Sequence, residues 1–346
     1  MPELILIYET ESACRQRLVS DGFSETGALQ ISSYLAQSTD LTLEFDEIAQ
    51  ACSARGLSFH AVELDDAPQF LALRRAKPAI VWTLTDGIAY FRGSIGPALA
   101  RLNGIPVIGS DDALFALCQD KFRAGSVMRA LGLPVPDAGL ARNGEWLAPP
   151  PESHRGWFVK PNRLGAKIGI WPDSHVTTLE NALELSRRIY AAYRDDALVQ
   201  TYVPGRNARA SYLTVEPGKP ALGSFFVDAG GDFQTMEDSL ALYGDTGAQA
   251  RADGAYSEPE LVAVAASQPS AAAAIEAVAA RAMSGLGLRD VFSMDFRVEE
   301  DDSVHLLEFE VCPGLPCFDF RDYCRRHWNM SLPEAMAATA ARRSAF

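Results

Sequence analysis

The run VFSMDFRVEEDDSVHLLEFEVCPGL, residues 291–315, constrains this chain more than any other. In VFSMDFRV the side chains of a strand alternate, so Phe292, Met294, Phe296 and Val298 share one face and Ser293, Asp295 and Arg297 the other. VHLLEFEV alternates too, which groups Val304, Leu306, Glu308 and Glu310, and the short acidic stretch from Glu299 to Ser303 suits the turn of a hairpin. With a loop of about four residues Asp295 stands opposite Glu308 and Ser293 opposite Glu310, with Cβ atoms roughly 5 Å apart. Like charges facing each other across a sheet are destabilising. Either a cation offsets them, Mg2+ shared with phosphate oxygens being the hard-cation choice, or the hairpin is a solvated acidic surface.

Further back, LILIY (4–8), GLSFHAVEL (56–64), AIVWTL (79–84) and IPVIG (105–109) are short apolar runs separated by helical patterns. Strands alternating with helices imply a parallel sheet whose ligands sit at the carboxyl ends of the strands. Glu9 and Glu11 after the first strand and Asp86 after the third are therefore candidate substrate contacts, with ordinary loop polarity as the alternative. Asp111 and Asp112 can cap one helix running to Gly132, and LPVPD then breaks the chain at a domain boundary.

WFVKPNRLGAKIGI (157–170) is a strand ending at Lys160 and a loop in which Arg163, Lys167, Gly165 and Gly169 combine positive charge with a backbone that can approach an anion. It matches neither the Walker pattern nor GxGxxG. A helix over 178–193 follows, then two strands broken at Pro204-Gly205, a strand-like stretch over 221–229 and a polar segment over 230–258 that reads as a lid. The alanine-rich helix 269–287 precedes the hairpin, and a closing helix begins with Ser331 as cap and Pro333 near its start.

A formal net charge of −14 argues against nucleic-acid or anionic-membrane partners. No apolar stretch reaches the roughly 18 residues of a membrane span. Met1 leads almost directly into a strand without a signal-peptide pattern, and the six cysteines lack CxxC spacing, so a cytoplasmic protein with reduced thiols is expected. The 346 residues suit two or three domains.

The order of these pieces resembles the ATP-grasp superfamily, specifically its D-alanine:D-alanine ligase branch. The resemblance is carried by GSIGPALARLNGIPVIGSD (93–111), DKFRAGSVMRALGLPVP (120–136), FVKPNRLGAKIG (158–169), LVQTYVPGRNARASYL (198–213), LEFEVCPGL (307–315) and the tail RDYCRRHWNMSLPEAMAATAA. It implies an α/β fold with α+β subdomains: an N-terminal Rossmann-like pre-ATP-grasp domain (1–112), a central ATP-grasp subdomain (113–203) and a C-terminal subdomain (204–346) bearing hairpin and lid. It further implies ATP held by Lys121, Lys160 and Arg163 at the phosphates, by Gln200, Tyr202 and Val203 at the adenine and by Asn207 at the ribose. Asp295, Glu308 and Glu310 match the metal ligands, expected to hold two Mg2+ ions with Mn2+ able to substitute. The implied reaction activates a carboxylate as an acyl phosphate that an amine attacks, and a homodimer acting on small amino-acid-like substrates is expected.

Departures from the branch are numerous. Ser293 replaces an arginine thought to steady the tetrahedral intermediate, Glu310 replaces Asn, Asn207 the ribose-binding acid, Ala166 a loop serine, Ser239 and Leu240 a Lys-Tyr pair, and Asp86-Gly87 a His-Gly pair. Arg163, Lys167, Arg206 or Arg209 could supply the missing cation; Lys160, Arg206 and Lys167 are taken as the catalytic set. Glu9 or Glu11 would hold the donor's amino group, and Asp319 near the acceptor site favours an acceptor that is cationic or lacks a carboxylate, an inference that Arg321 nearby could reverse. These features imply a ligase of specialised metabolism acting on something other than D-alanine, with cyclisation of one amino-acid derivative, or a silent nucleotide-binding protein, as alternatives.

Overall fold

The computed structural model describes residues 1–75, 77–85, 92–165, 167–217, 222–227, 233, 235 and 261–344. Three sheets organise the chain. In the first, β1 (Glu3–Tyr8) runs parallel between β2 (Ser58–Glu63) and β3 (Ala79–Thr83). Both faces of β1 are buried: Leu4 and Leu6 join the largest apolar core, and Ile5 and Ile7 a smaller one on the other side. That two-sided burial explains the unbroken apolar run. The expected fourth strand is reduced to an isolated parallel bridge between Val81 and Val107, with Val81 N donating to Pro106 O (2.9 Å) and Ile108 N to Val81 O (2.8 Å). Pro106 has no N–H to extend the ladder, and Gly109 turns away with φ +85°.

The second sheet is antiparallel, ordered β5-β4-β8-β6-β7, from β4 (Ala138–Arg142), β5 (Glu145–Ala148), β6 (Trp157–Pro161), β7 (His175–Val176) and β8 (Ala197–Thr201). The helix Leu179–Tyr193 covers it, started by Thr178, whose hydroxyl accepts from Asn181 N. The third sheet is ordered β11-β10-β9-β12-β13, from β9 (Arg206–Leu213), β10 (Leu222–Phe226), β11 (Val262–Ala263), β12 (Val291–Val298) and β13 (Val304–Glu310). Between β8 and β9 the chain turns at Gly205, φ +113°, where a Cβ would stand 2.2 Å from Val298 O. Only glycine lets the two sheets connect there.

The helix expected to run from the Asp111–Asp112 pair to Gly132 is two helices, Asp112–Cys118 and Lys121–Ala130. Asp120 breaks it: its Oδ1 accepts from Arg123 N (3.0 Å) and from Asn162 Nδ2 (3.0 Å), while Asn162 also accepts from Phe122 N and Lys121 N. Capping and a long-range partner thus outweigh the continuous apolar period. The polar segment 230–258 lies almost wholly outside the described residues. The alanine-rich helix is observed as Pro269–Leu286 and ends at Gly287, φ +79°. No helix among the described residues is long and apolar enough to cross a membrane.

At the C-terminus, Ser331 and Glu334 exchange hydrogen bonds in a capping box that starts the helix Leu332–Ser344. Its last turn carries Arg342, which donates to Asp290 Oδ1 (2.7 Å), and Arg343, 3.3 Å from Asp290 Oδ2. Gly109 N donates to the same carboxylate (3.1 Å), so one buried acid ties the first sheet, the hairpin's entry and the last helix together. Asp290→Asn keeps the left-handed backbone accessible but removes the charge between these arginines; it should lower the free energy of unfolding by about 3 kcal/mol, read from the shift in chemical-denaturation midpoint.

Candidate active site

The chain brings Glu308 of β13 between two lysines from different elements. Lys121 Nζ lies 3.4 Å and Lys160 Nζ 3.9 Å from Glu308 Oε2. Lys121 opens its helix because Asp120 and Asn162 fix that turn, and its ammonium also donates to Leu164 O (2.7 Å) in the glycine-containing loop. Lys160 sits one residue from the end of β6 and is only 7% exposed. Burial alone would push the Glu308 carboxyl up, but Lys121, Lys160 and then Arg209 hold it well below the usual carboxylate range. Lys121 is lowered by burial and raised more by Glu308, Glu310 and Asp195, for a net upward shift. Lys160 shifts downward because burial, helped by Lys121, outweighs Glu308 and Asp295. Lys160 is thus the under-compensated cation of the group, which an arriving anion would stabilise.

The loop after β6 is anchored from below. Arg163 N donates to Asp195 Oδ2 (2.7 Å), and Arg163 Nε lies 3.7 Å from Asp120 Oδ2. Lys167 has φ +63°, and Gly169 packs so that a Cβ would meet Pro161 Cγ at 2.5 Å. Gln119, Lys121, Arg163, Gly165, Glu308 and Glu310 line one cleft between this loop and β13. Burial raises the Asp195 carboxyl to about 6, against the backbone donors Arg163 and Asp196 that pull it down.

The hairpin has the expected register, Asp295 opposite Glu308 and Ser293 opposite Glu310, with a bulge between that part and Phe296 opposite Leu306. The bulge flips parity in β13. Val304 and Leu306 join the apolar face, opposite Val298 and Phe296, and do not share the face of Glu308 and Glu310 as simple alternation predicts. Nor do the three acids converge on one point: Arg209 of β9, paired with Asp295 in register, forks onto it through Nε–Oδ1 (2.8 Å) and Nη2–Oδ2 (3.1 Å). Among the described residues no three His, Cys, Asp or Glu side chains are grouped to hold a metal ion. What remains is an oxygen donor set, Glu308 and Glu310, with Glu308 Oε2 buried and facing the two lysine ammoniums. That set fits a Mg2+ ion sharing its shell with phosphate oxygens, not an all-protein cage.

The expected nucleotide linker lies at the end of β8, where Gln200, Tyr202 and Val203 are buried. Tyr202 stacks on His175 with ring centroids 3.7 Å apart. Arg297 of the hairpin donates to Val203 O and to Asn207 Oδ1, both at 3.0 Å, bracing the linker and the expected ribose contact together. Arg206 is elsewhere. It pairs with Val298 on the apolar side of the sheet and lies over the Phe226 ring, 3.6 Å from its centroid, on the face opposite Asp295, so the hairpin acids and Arg206 are not brought together. Arg209, three positions on, faces the other way. The signal that could have separated the two is strand parity.

Glu9 does stand at the carboxyl end of β1, but its carboxylate is taken: Arg17 holds both oxygens (3.1 and 3.3 Å) and Arg92 one (3.0 Å), Arg92 reaching Asp65 as well. A donor amino group would have to compete with two part-buried guanidiniums. Glu11 lies in the first turn of the helix Glu11–Ser20, exposed, with one oxygen accepting from Ser33 Oγ (2.9 Å). Asp86, Ala166, Ser239 and Leu240 lie outside the described residues; Asp319 falls in the helix Phe318–Tyr323, its side chain likewise undescribed.

No profile of a known protein family matches the chain. In sequence it is 26% identical over 264 residues to a D-alanine–D-alanine ligase of Synechococcus sp. (strain JA-2-3B'a(2-13)), covering 74% of each chain. In structure it matches D-alanyl-alanine synthetase A of Vibrio cholerae (TM-score 0.59, 18% identity, 99% of both chains). It also matches an L-amino acid ligase of Bacillus licheniformis (TM-score 0.63, 12% identity, 99% of this chain and 74% of that one). The chain thus has the ATP-grasp fold along its length and resembles the D-alanine:D-alanine ligase branch in sequence.

Asp195 offers a pH test. Its carboxyl titrates at about 6 in the folded protein against about 3.9 unfolded. The folded state therefore favours the proton, and this contribution to stability is complete below the unfolded value and lost as pH rises to the folded one. Relative to wild type, Asp195→Asn should gain on the order of 2 kcal/mol between pH 4 and pH 7, measured by denaturation at both pH values.

Proposed function

We propose that this chain is an ATP-dependent ligase that activates a carboxylate as an acyl phosphate and joins it to an amine, releasing ADP and phosphate. One observation carries the reading: the half-buried Glu308, its Oε2 held between Lys121 and Lys160, at a cleft floored by the glycine-containing loop. Phosphoryl transfer needs positioning and charge neutralisation more than covalent help, and this arrangement supplies both.

In this reading Lys160 and Lys121 take phosphate oxygens while Arg163 and the loop backbone close over them. Gln200, Tyr202 and Val203 hold the base, and Asn207, set by Arg297, the ribose. Glu308 and Glu310 would hold Mg2+, which when bound neutralises phosphate charge and aligns the transferring group. The donor carboxylate oxygen takes the γ-phosphoryl group; the amine then attacks the carbonyl, phosphate leaves with the C–O bond electrons, and the amine's proton passes to solvent. Lys167, whose backbone has φ +63°, faces substrate in this scheme.

The substrates are small and amino-acid-like, and other than a pair of D-alanines. Support comes from Ser293, a buried hydroxyl where the ligase branch has an arginine, and from Glu9, whose carboxylate is already engaged by Arg17 and Arg92. The same fold carries ligases of differing name, among them a D-Ala:D-Ser ligase and an L-amino acid ligase, so the site decides the substrate. Asp319 would favour an acceptor without a free carboxylate, which suits specialised metabolism. The reading has the enzyme working in the cytoplasm as a homodimer.

Incubation with ATP, Mg2+ and pooled amino acids and amines should release phosphate together with a product whose mass is the sum of two substrates less water. Loss of water from a single substrate would replace ligation by cyclisation. Phosphate released with D-alanine alone would overturn the substrate assignment. Glu308→Gln leaves both lysines without their anion and should cut phosphate release by on the order of 100-fold or more.

A further inference from the structure

The acids of the hairpin already have counter-charges, and one of them bears on how many metal ions the site can take. Lys121 and Lys160 answer Glu308, and Arg209 answers Asp295 with a two-point fork. Arg209 is not a passing surface partner. It stands on β9, inside the sheet between β10 and β12, directly paired with Asp295, and it adds to the field that lowers the Glu308 carboxyl. The next pair on that face is Ser211 with Ser293, both buried and uncharged, so the guanidinium is the charge this stretch of sheet presents beside the acids.

A forked guanidinium engages both oxygens of a carboxylate in its plane. Mg2+ needs such an oxygen at about 2.0–2.1 Å in octahedral geometry and gives up its own water reluctantly. It would have to strip Asp295 of a charge-assisted pair that is part-buried and held by the register of two strands. The grouping of acids agrees: no set of three carboxylates among the described residues is arranged around a common point.

We propose that Arg209 takes the place of a divalent ion at Asp295, so that the site holds a single metal ion, on Glu308 and Glu310, together with its nucleotide. This rests on the nucleotide-binding reading above and revises the two ions implied by the resemblance. Arg209 supplies a fixed positive charge that does not dissociate, on the face where phosphate charge is to be neutralised. The enzyme then needs only the ion that arrives with ATP.

The test counts ions directly. Wild-type protein is saturated with a non-hydrolysable ATP analogue, confirmed by calorimetry, and titrated with Mn2+ while free Mn2+ is followed by electron paramagnetic resonance. The expected result is one Mn2+ per chain. Arg209→Met frees Asp295 and should bring the count to two; adding Asp295→Asn to that variant should return it to one. Two ions on the wild type, or one ion on both wild type and Arg209→Met, overturns the role given to Arg209 and leaves the ligase reading standing. Absence of analogue binding overturns both. The wild-type count decides even if a variant fails to fold.

Discussion

A carboxylate buried without partners costs several kcal/mol, and a buried ammonium no less. Glu308, Lys121 and Lys160 are tolerable only together. Each comes from a different part of the chain: the hairpin strand, the start of a helix and the end of a strand in the second sheet. The electrostatic condition is therefore also a geometric one, since the second and third sheets must approach until one acid sits within ion-pair range of two lysines. Several other features serve that approach. Asp120 and Asn162 stop one helix and start another so that Lys121 lies at its first residue, and Gly205 lets the chain cross between the sheets beside Val298.

The arrangement is deliberately unbalanced at one point. Lys160 is lowered by burial and by Lys121, more than Glu308 and Asp295 can restore. A site of this kind gains by accepting negative charge, and the loop carrying Arg163 and Lys167 lies where that charge would come to rest. Anchoring of the loop through Asp195 keeps its backbone donors in place, and burial lifts that carboxyl to about 6, so it loses its charge only below neutral pH.

The fold was largely legible, because alternating β/α runs, capped helices and a two-strand run with opposed acids depend on local periodicity. Asp295 opposite Glu308 could be read from the lengths of two strands and a loop. What stayed hidden were features that need a distant partner. The helix break at Asp120 depends on Asn162, and the fate of Glu9 on Arg92, neither of which local pattern can supply. The bulge left only a faint mark, two adjacent leucines where alternation should place one, and it moved Val304 and Leu306 to the other face. Glu11 reads as a ligand for the same reason as Glu9, its place after a strand; it is exposed and also joins one helix to the next through Ser33.

The demand for positive charge opposite the hairpin acids is met in part by the chain itself. Opposed carboxylates need positive charge, and three cations of the chain, Lys121, Lys160 and Arg209, provide it before any ion arrives. Strand parity decides which arginine does so. Arg206 and Arg209 are three residues apart on one strand, an odd step that sends one to the aromatic core over Phe226 and the other to Asp295. At Ser293 the same face carries a hydroxyl paired with Ser211, so the cationic group that a neighbouring position could hold has been shifted along the sheet to the next pair. A cation rooted one strand over would approach a phosphate from a different angle than one rooted on β12, and here it is bound to Asp295. Charge neutralisation and metal count are for that reason not independent properties of this sheet.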